Sequence, residues 1–400
     1  MANHSIKAKL ISLTAATILT AGCGVSQQKT VTASQRHGPA DAANDSNDSL
    51  KTADRTGASK ADVPSGNANA PTAVTPTSLP TSEPPPSPQL PPPAYTFAAV
   101  GYSGNLITSR DGVTWSTPIT EPLGPYGDNN YTFRNVCAGP GRIVAVGGGT
   151  QVAGTDWYAR IYVTTDGTTW TKAFSDLGNW LGGCAYQNGL YLIVGGGARY
   201  LTSTDGLNWQ VHSQIPFKTG DNPGGVFPQM RGVAAGNGVF VAWGDRGLFA
   251  TTTDGTDWVV THPIDDDPAA ITNVRFVHDR FVAKMNGQVT TSRDGKTWTT
   301  PNGPSPLGTV WVDGKFYVSS NSSGIQTSST TDFVNWTTAA ANVAPGVIAY
   351  GQGKFVGFYG YSPQKSYYST DGATWTVGST SFSPSSITSL IYVQIPKPNE

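Results

Sequence analysis

Ser109-Arg-Asp111-Gly112-Val-Thr-Trp115 decides the fold, because the same seven-residue pattern returns six more times. The copies are Thr164-Thr-Asp166-Gly167-Thr-Thr-Trp170, Ser203-Thr-Asp205-Gly206-Leu-Asn-Trp209, Thr252-Thr-Asp254-Gly255-Thr-Asp-Trp258 and Ser292-Arg-Asp294-Gly295-Lys-Thr-Trp298, then the degenerate Thr330-Thr-Asp332-Phe333-Val-Asn-Trp336 and finally Ser369-Thr-Asp371-Gly372-Ala-Thr-Trp375. Successive tryptophans are 55, 39, 49, 40, 38 and 39 residues apart, a spacing that marks a repeat architecture. Each copy has the chemistry of a tight turn. Asp accepts hydrogen bonds from backbone N–H groups just beyond it, Gly supplies positive φ, and Trp packs inward over the turn.

Working outward from the turn, an apolar run such as Val239-Phe-Val-Ala-Trp-Gly244 precedes it. A Gly-containing turn such as Gly236-Asn-Gly238, and before it a short β run such as Gly232-Val-Ala-Ala235, complete the unit. Each unit therefore reads as four short strands, A to D, with A–B and C–D joined by tight hairpins. Seven such antiparallel units predict an all-β, seven-bladed β-propeller. The domain opens at a strand B, Thr96-Phe-Ala-Ala-Val-Gly101, and closes on the unpartnered run Ile387-Thr-Ser-Leu-Ile-Tyr-Val393. That last run is expected as strand A of blade 1, latching the ring.

Composition agrees with β structure and narrows function. The 400 residues include 47 Gly, 29 Pro and 11 Trp, with Glu only at Glu83, Glu121 and Glu400. An all-α fold is excluded. The 25 Lys and Arg balance 26 Asp and Glu, and 13% of residues are charged, so nothing predicts a nucleic-acid partner.

The first 22 residues read as an export signal: Lys7 and Lys9, an apolar run from Leu10 to Leu19, then Thr20-Ala21-Gly22-Cys23. That ending resembles the lipobox of bacterial lipoproteins, which implies acylation of Cys23 and a membrane partner through the lipid. The expected location is exported and membrane-anchored as a lipoprotein, at the outer membrane or cell surface if the cell is Gram-negative. From Gly24 to Ala94 there is no Phe, Trp or Tyr, and eleven prolines crowd between Pro64 and Pro93. Such a segment cannot bury enough apolar surface to offset its ordering entropy, so 23–94 reads as a disordered tether. The propeller is expected over 95–395, with 396–400 as a tail.

The turn motif resembles the Asp box, or bacterial neuraminidase repeat, of sialidases, sortilin-type receptor domains and photosystem II assembly-factor propellers. In those families the Asp box is a structural turn remote from the ligand. The resemblance thus makes Asp111, Asp166, Asp205, Asp254, Asp294, Asp332 and Asp371 scaffold. Function is expected at the opposite end, where the B–C loops and the D-to-A connections hold the irregular length. Candidate ligand-binding residues there are Tyr126, Asp128, Trp157, Tyr158, Arg160, Trp180 and Asp221, a mixture of aromatic and polar groups read as exposed and suited to carbohydrate or peptide.

Arg134 and Arg231 each stand two residues before a core valine, Val136 or Val233, at one register of an innermost strand, with Arg275 nearby but offset. Sialidases bind their substrate carboxylate with arginines on inner strands, and Phe133-Arg134 echoes the first half of their Phe-Arg-Ile-Pro motif. The second half departs, sialidases have six blades, and their nucleophile pair needs a Glu that this domain offers only at Glu121. The expected function is therefore a tethered binding or scaffolding protein with a carbohydrate or envelope-protein ligand. The competing class is a glycan-active enzyme, a sialidase-like hydrolase or a polysaccharide hydrolase or lyase; no catalytic residues are assigned.

No cofactor or transition-metal site is read from the scattered histidines, and Asp265-Asp266-Asp267 is an acidic run that could hold Ca2+. Cys137 and Cys184 fall on the first strands of neighbouring blades. Their registers differ by one residue, which sets the side chains on opposite sheet faces and argues against a disulfide.

Overall fold

The computed structural model describes residues 94–118, 131–150, 157–217, 228–245, 247–261, 271–321, 323–359, 364–379 and 386–395. The export signal, Cys23 and the tether through residue 93 lie outside these residues, as do Tyr126, Asp128, Asp221, Asp265 to Asp267 and the tail at 396–400.

The described strands form seven antiparallel sheets, each following chain order from A to D. Blade 1 is the exception, because its strand A (Ile387–Ile395) comes from the end of the chain and pairs with its strand B (Ala94–Gly101). The latch expected from sequence is present: Phe97 stands opposite Tyr392, and Ile387 and Leu390 enter the core shared with blade 7. Among the described residues, strand D is vestigial in blades 1 and 5. Beside strand C, blade 1 keeps one backbone bond, Ser116 N–H to the Thr108 carbonyl, and blade 5 keeps the single bridge Thr291↔Thr299.

The uninterrupted apolar runs follow from a sheet buried on both faces. In strand B of blade 4 (Val239–Gly244), Phe240 and Ala242 pack toward blade 3, while Val239, Val241 and Trp243 pack toward blade 5. One such apolar cluster fills each of the seven junctions between neighbouring blades. Strand D faces solvent, and in blade 6 (Thr337–Ala340) all four residues are exposed. The A strands line a central channel.

The alternation that builds these junctions also corrects the cysteine expectation. Cys137 and Cys184 form a disulfide, with Cα atoms 5.7 Å apart. The one-residue offset does place them on opposite faces. Blades pack face to back, however, so the blade 3 side of blade 2 meets the blade 2 side of blade 3, and opposite faces are what bring two such cysteines together. Both belong to the one cluster between blades 2 and 3.

At the turn end, each Asp of the repeated motif is occupied by the backbone. Asp205 Oδ1 accepts from the N–H of Leu207 (2.8 Å), the N–H of Asn208 (2.8 Å) and the Ser203 hydroxyl (3.0 Å), while Ser203 Oγ accepts from Gly206 N–H (2.8 Å). The same net recurs around Asp111, Asp166, Asp254, Asp294, Asp332 and Asp371. Donors aimed at the ionised form pull the carboxyl of Asp371 down to about 2, the Thr374 N–H contributing most. Blade 6 puts Phe333 where the others have Gly, at φ 62°. That conformation costs a non-glycine residue roughly 1–2 kcal/mol, and the ring offsets it by full burial against Phe316 and Trp336.

Candidate functional site

The opposite channel mouth is shaped by a ring of β-bulges. In blade 2 the A–B pairing passes from Phe133↔Gly147 to Asn135↔Val146, leaving Arg134 as the extra residue. Blade 4 passes from Met230↔Gly244 to Gly232↔Trp243, leaving Arg231. Equivalent irregularities leave Thr388 in blade 1, Gly182 in blade 3, and Asn273 and Val274 in blade 5. Blades 6 and 7 pair without interruption. A bulge releases one residue from the ladder and re-aims its side chain, so blades 1, 2, 4 and 5 can each turn a group toward the mouth, whereas blade 3 releases only Gly182.

In blades 1 to 4 the bulge presses on a strand B residue that must be glycine. A Cβ at Gly101, Gly147, Gly195 or Gly244 would stand 2.4, 2.1, 2.2 or 2.7 Å from a carbonyl oxygen of the strand A segment. These glycines end the apolar runs in the sequence, and they are the signal by which the bulges could have been foreseen.

Arg134 and Arg231 meet at one indole. The guanidinium carbon of Arg134 lies 4.3 Å from the centre of the Trp180 ring, and that of Arg231 lies 5.5 Å from it. Between their blades the bulge residue is Gly182, whose Cβ would collide with the Met230 carbonyl at 2.4 Å. Arg231 Nε donates to Asp245 Oδ1 at 2.8 Å. Arg134 Nε is buried with no hydrogen-bond acceptor. Burial pulls the Arg134 pKa down, with Tyr102 opposing and the like charge of Arg231 adding to the fall; an arginine remains charged nonetheless.

Arg275 does not join this pair. Its Nη1 donates across the channel to the Ile348 carbonyl of blade 7 at 3.2 Å. All three arginines line one cavity of about 780 Å³, together with Asp245, Asn135 and Thr388. Hydrogen bonds tie its wall across blades 1 to 3. The Thr388 hydroxyl contacts the carbonyls of Val100 (3.1 Å) and Phe133 (2.9 Å), Asn135 Nδ2 donates to Ser389 (3.3 Å), and Cys184 N–H donates to Asn135 Oδ1 (3.1 Å).

The other candidates divide differently. Tyr158 and Trp180, read from sequence as exposed, are 8% and 6% accessible. Tyr158 stacks on Tyr131 at 5.9 Å, and Arg160 lies over both rings at 4.7 and 5.5 Å, within the junction of blades 1 and 2. Residues entering a strand at the loop end are covered here by a neighbouring blade or by a ring of their own blade. Trp157 opens strand C of blade 2, opposite Thr150.

Scanned against protein families the chain matches none, and no curated protein matches it. Solved structures resemble it in fold. YCF48 bound to D1 peptide is 18% identical over 72% of this chain and 91% of its own, with a TM-score of 0.44. YCF48 from Cyanidioschyzon merolae is 14% identical over 70% and 94%, with a TM-score of 0.43. Apo AztD from Citrobacter koseri is 10% identical over 76% and 98%, with a TM-score of 0.45. At this distance no residue role passes from them to this chain.

Proposed function

We propose that this protein is an envelope-anchored binding propeller whose ligand, a carbohydrate or protein segment bearing a carboxylate or similar anion, docks at the arginine mouth. The observation that carries this reading is the pair Arg134 and Arg231, set at one indole by equivalent bulges, with Asp245 opposing only Arg231. Two fixed positive charges and one negative leave a site that a single anionic group would balance, through bidentate pairing with a guanidinium. The lipobox-like Thr20-Ala21-Gly22-Cys23 and the proline-rich tether support display at a membrane surface.

Binding is favoured over glycan cleavage because acid–base hydrolysis calls for a pair of carboxyl groups. Among the described residues lining the channel Asp245 is the single carboxylate, and it is held by Arg231. The direct test screens the full-length protein against uronate-containing and sialylated oligosaccharides and against peptides with free or amidated C-termini. Retention of an anionic probe, weakened by salt, is expected; indifference to every anionic probe would remove the proposal. Cys23→Ser should abolish palmitate labelling, and unchanged labelling would refute the anchor.

A further inference from the structure

We propose a second binding site, for an uncharged saccharide, in the lateral groove between blades 5 and 6. A cavity of about 470 Å³ opens there, lined by Asn302, Ser305, Gln326, Ser328, Trp336 and Thr338 among others, and none of its described lining residues is charged. The channel mouth is defined by its guanidinium groups. This groove offers amides, hydroxyls and an indole.

The groove has a cause in the sequence. In blade 4 the residues six before, four before and six after the turn Asp are Leu248, Ala250 and Val260, and all three pack into the apolar junction with blade 3. Blade 6 carries Gln326, Ser328 and Thr338 at those positions. Ser328 and Thr338 face each other on paired strands, with their hydroxyl oxygens 2.9 Å apart. Among the described residues the buried core between blades 5 and 6 is Val282, Val289, Phe316 and Phe333, with Val277, Trp311 and Trp336 packed against it. Polar residues thus stand where blade 4 has its apolar filling; blade 5 carries a like set, Gln288, Thr290 and Thr300, and what distinguishes the groove of blade 6 is the connection that walls it.

The opposite wall exists because blade 5 has lost its outer strand. Beyond the bridge at Thr299 the chain leaves the sheet and crosses through Asn302, Gly303, Pro304 and Ser305, until Leu307 N–H reaches the Ser319 carbonyl at 2.9 Å in blade 6. Gly303 lets this connection lie against the indole, since a Cβ there would stand 2.6 Å from the Trp336 ring. The Trp336 Nε1 is buried with no acceptor, whereas Trp298 and Trp375 donate to the carbonyls of Gly295 and Gly372 at 3.2 and 3.0 Å. Trp115, Trp209 and Trp258 share that condition, so it bears on a ligand only because this indole lines the groove.

Side-chain amides and hydroxyls that both donate and accept match the dual character of sugar hydroxyls, and an indole suits the apolar face of a pyranose. An anion would meet no cation here, and an apolar side chain would meet polar walls. A neutral saccharide is the class that fits. This inference is independent of the anionic ligand proposed for the channel.

The test titrates the full-length protein with neutral oligosaccharides of glucose, mannose, galactose and N-acetylglucosamine, followed by saturation-transfer NMR. Two variants accompany it. Gln326→Leu/Ser328→Ala/Thr338→Val copies the apolar set of blade 4, and Asn302→Ala alters the connection without touching blade packing. Binding of at least one probe is expected, weakened at least fivefold by Asn302→Ala, abolished by the triple variant and unchanged by Arg134→Met/Arg231→Met. If the triple variant fails to fold, Asn302→Ala decides. The proposal falls if no neutral probe binds, if binding survives both variants, or if the arginine variant removes it. Preference for a peptide over every saccharide in this groove would also overturn it.

Discussion

The two ends of the propeller use opposite charges in opposite ways. At the turn end seven carboxylates recur with the blades, and each is enclosed by backbone N–H groups and a hydroxyl from its own turn. At the mouth, guanidinium groups appear at selected bulges, and Arg134 Nε has no acceptor. The repeated charge is saturated throughout, while the irregular charge leaves Arg134 Nε unsatisfied. A row of acidic residues that suggests chemistry in a sequence is thereby scaffold in its geometry, whereas of two unrepeated arginines one is paired with Asp245 and the other keeps a free Nε–H.

This contrast can be broken at several strengths. The strongest perturbation removes the latch that carries Thr388 and Ser389 to the mouth. Ending the chain after Pro384 deletes Ile387 and Leu390 from the core with blade 7 and exposes the edge of strand B in blade 1. Two buried aliphatic side chains alone amount to about 3–6 kcal/mol. The truncated chain should aggregate or melt far below the parent by calorimetry, and an unchanged cooperative melt would show that the ring closes otherwise.

A step smaller, Cys137→Ser/Cys184→Ser unties blades 2 and 3 beneath the arginine pair. A loop of 47 residues corresponds to about 4 kcal/mol in the chain-entropy view. Guanidinium denaturation should show a loss of that order, equalled by reduction of the parent; no loss would make the bridge dispensable.

At the turn end, Asp205→Ala frees the N–H groups of Leu207 and Asn208. By analogy with a lost helix cap the cost should be about 1 kcal/mol, with ligand binding at the mouth untouched. Acid should reach all seven turns together. Their folded carboxyl pKa values lie below the unfolded value near 3.9, and that of Asp371 falls to about 2. A depressed folded pKa gives stability that is complete above roughly pH 4 and is lost as pH falls through the folded value. The melting temperature should therefore drop between about pH 4 and pH 2. A flat profile there would show that the turns contribute nothing.

The fold was legible because each structural choice repeats. Turn, apolar run and hairpin recur seven times, and even the out-of-order latch at Ile387 could be placed by counting strands. The site was legible in part. A common register singled out Arg134 and Arg231, but register could not reveal the bulges that display them or the indole of Trp180 between them. Burial of Tyr158 and Trp180 escaped the sequence because the groups packed on them, Tyr131 on Tyr158 and Arg134 and Arg231 on Trp180, lie far from them in the chain. The disulfide escaped for a related reason: alternation within one blade was applied without the face-to-back packing of the next.

The most direct measurement is the affinity of the parent and of Arg134→Met/Arg231→Met for one anionic probe, titrated calorimetrically at two salt concentrations with both melting temperatures recorded. Methionine keeps much of the contact with Trp180 while removing both charges. The mouth as described predicts at least a tenfold loss, about 1.4 kcal/mol, a shallower salt dependence and little change in melting temperature. Equal affinity in the two proteins, or a double variant that is simply unstable while the parent binds no anion, would contradict it.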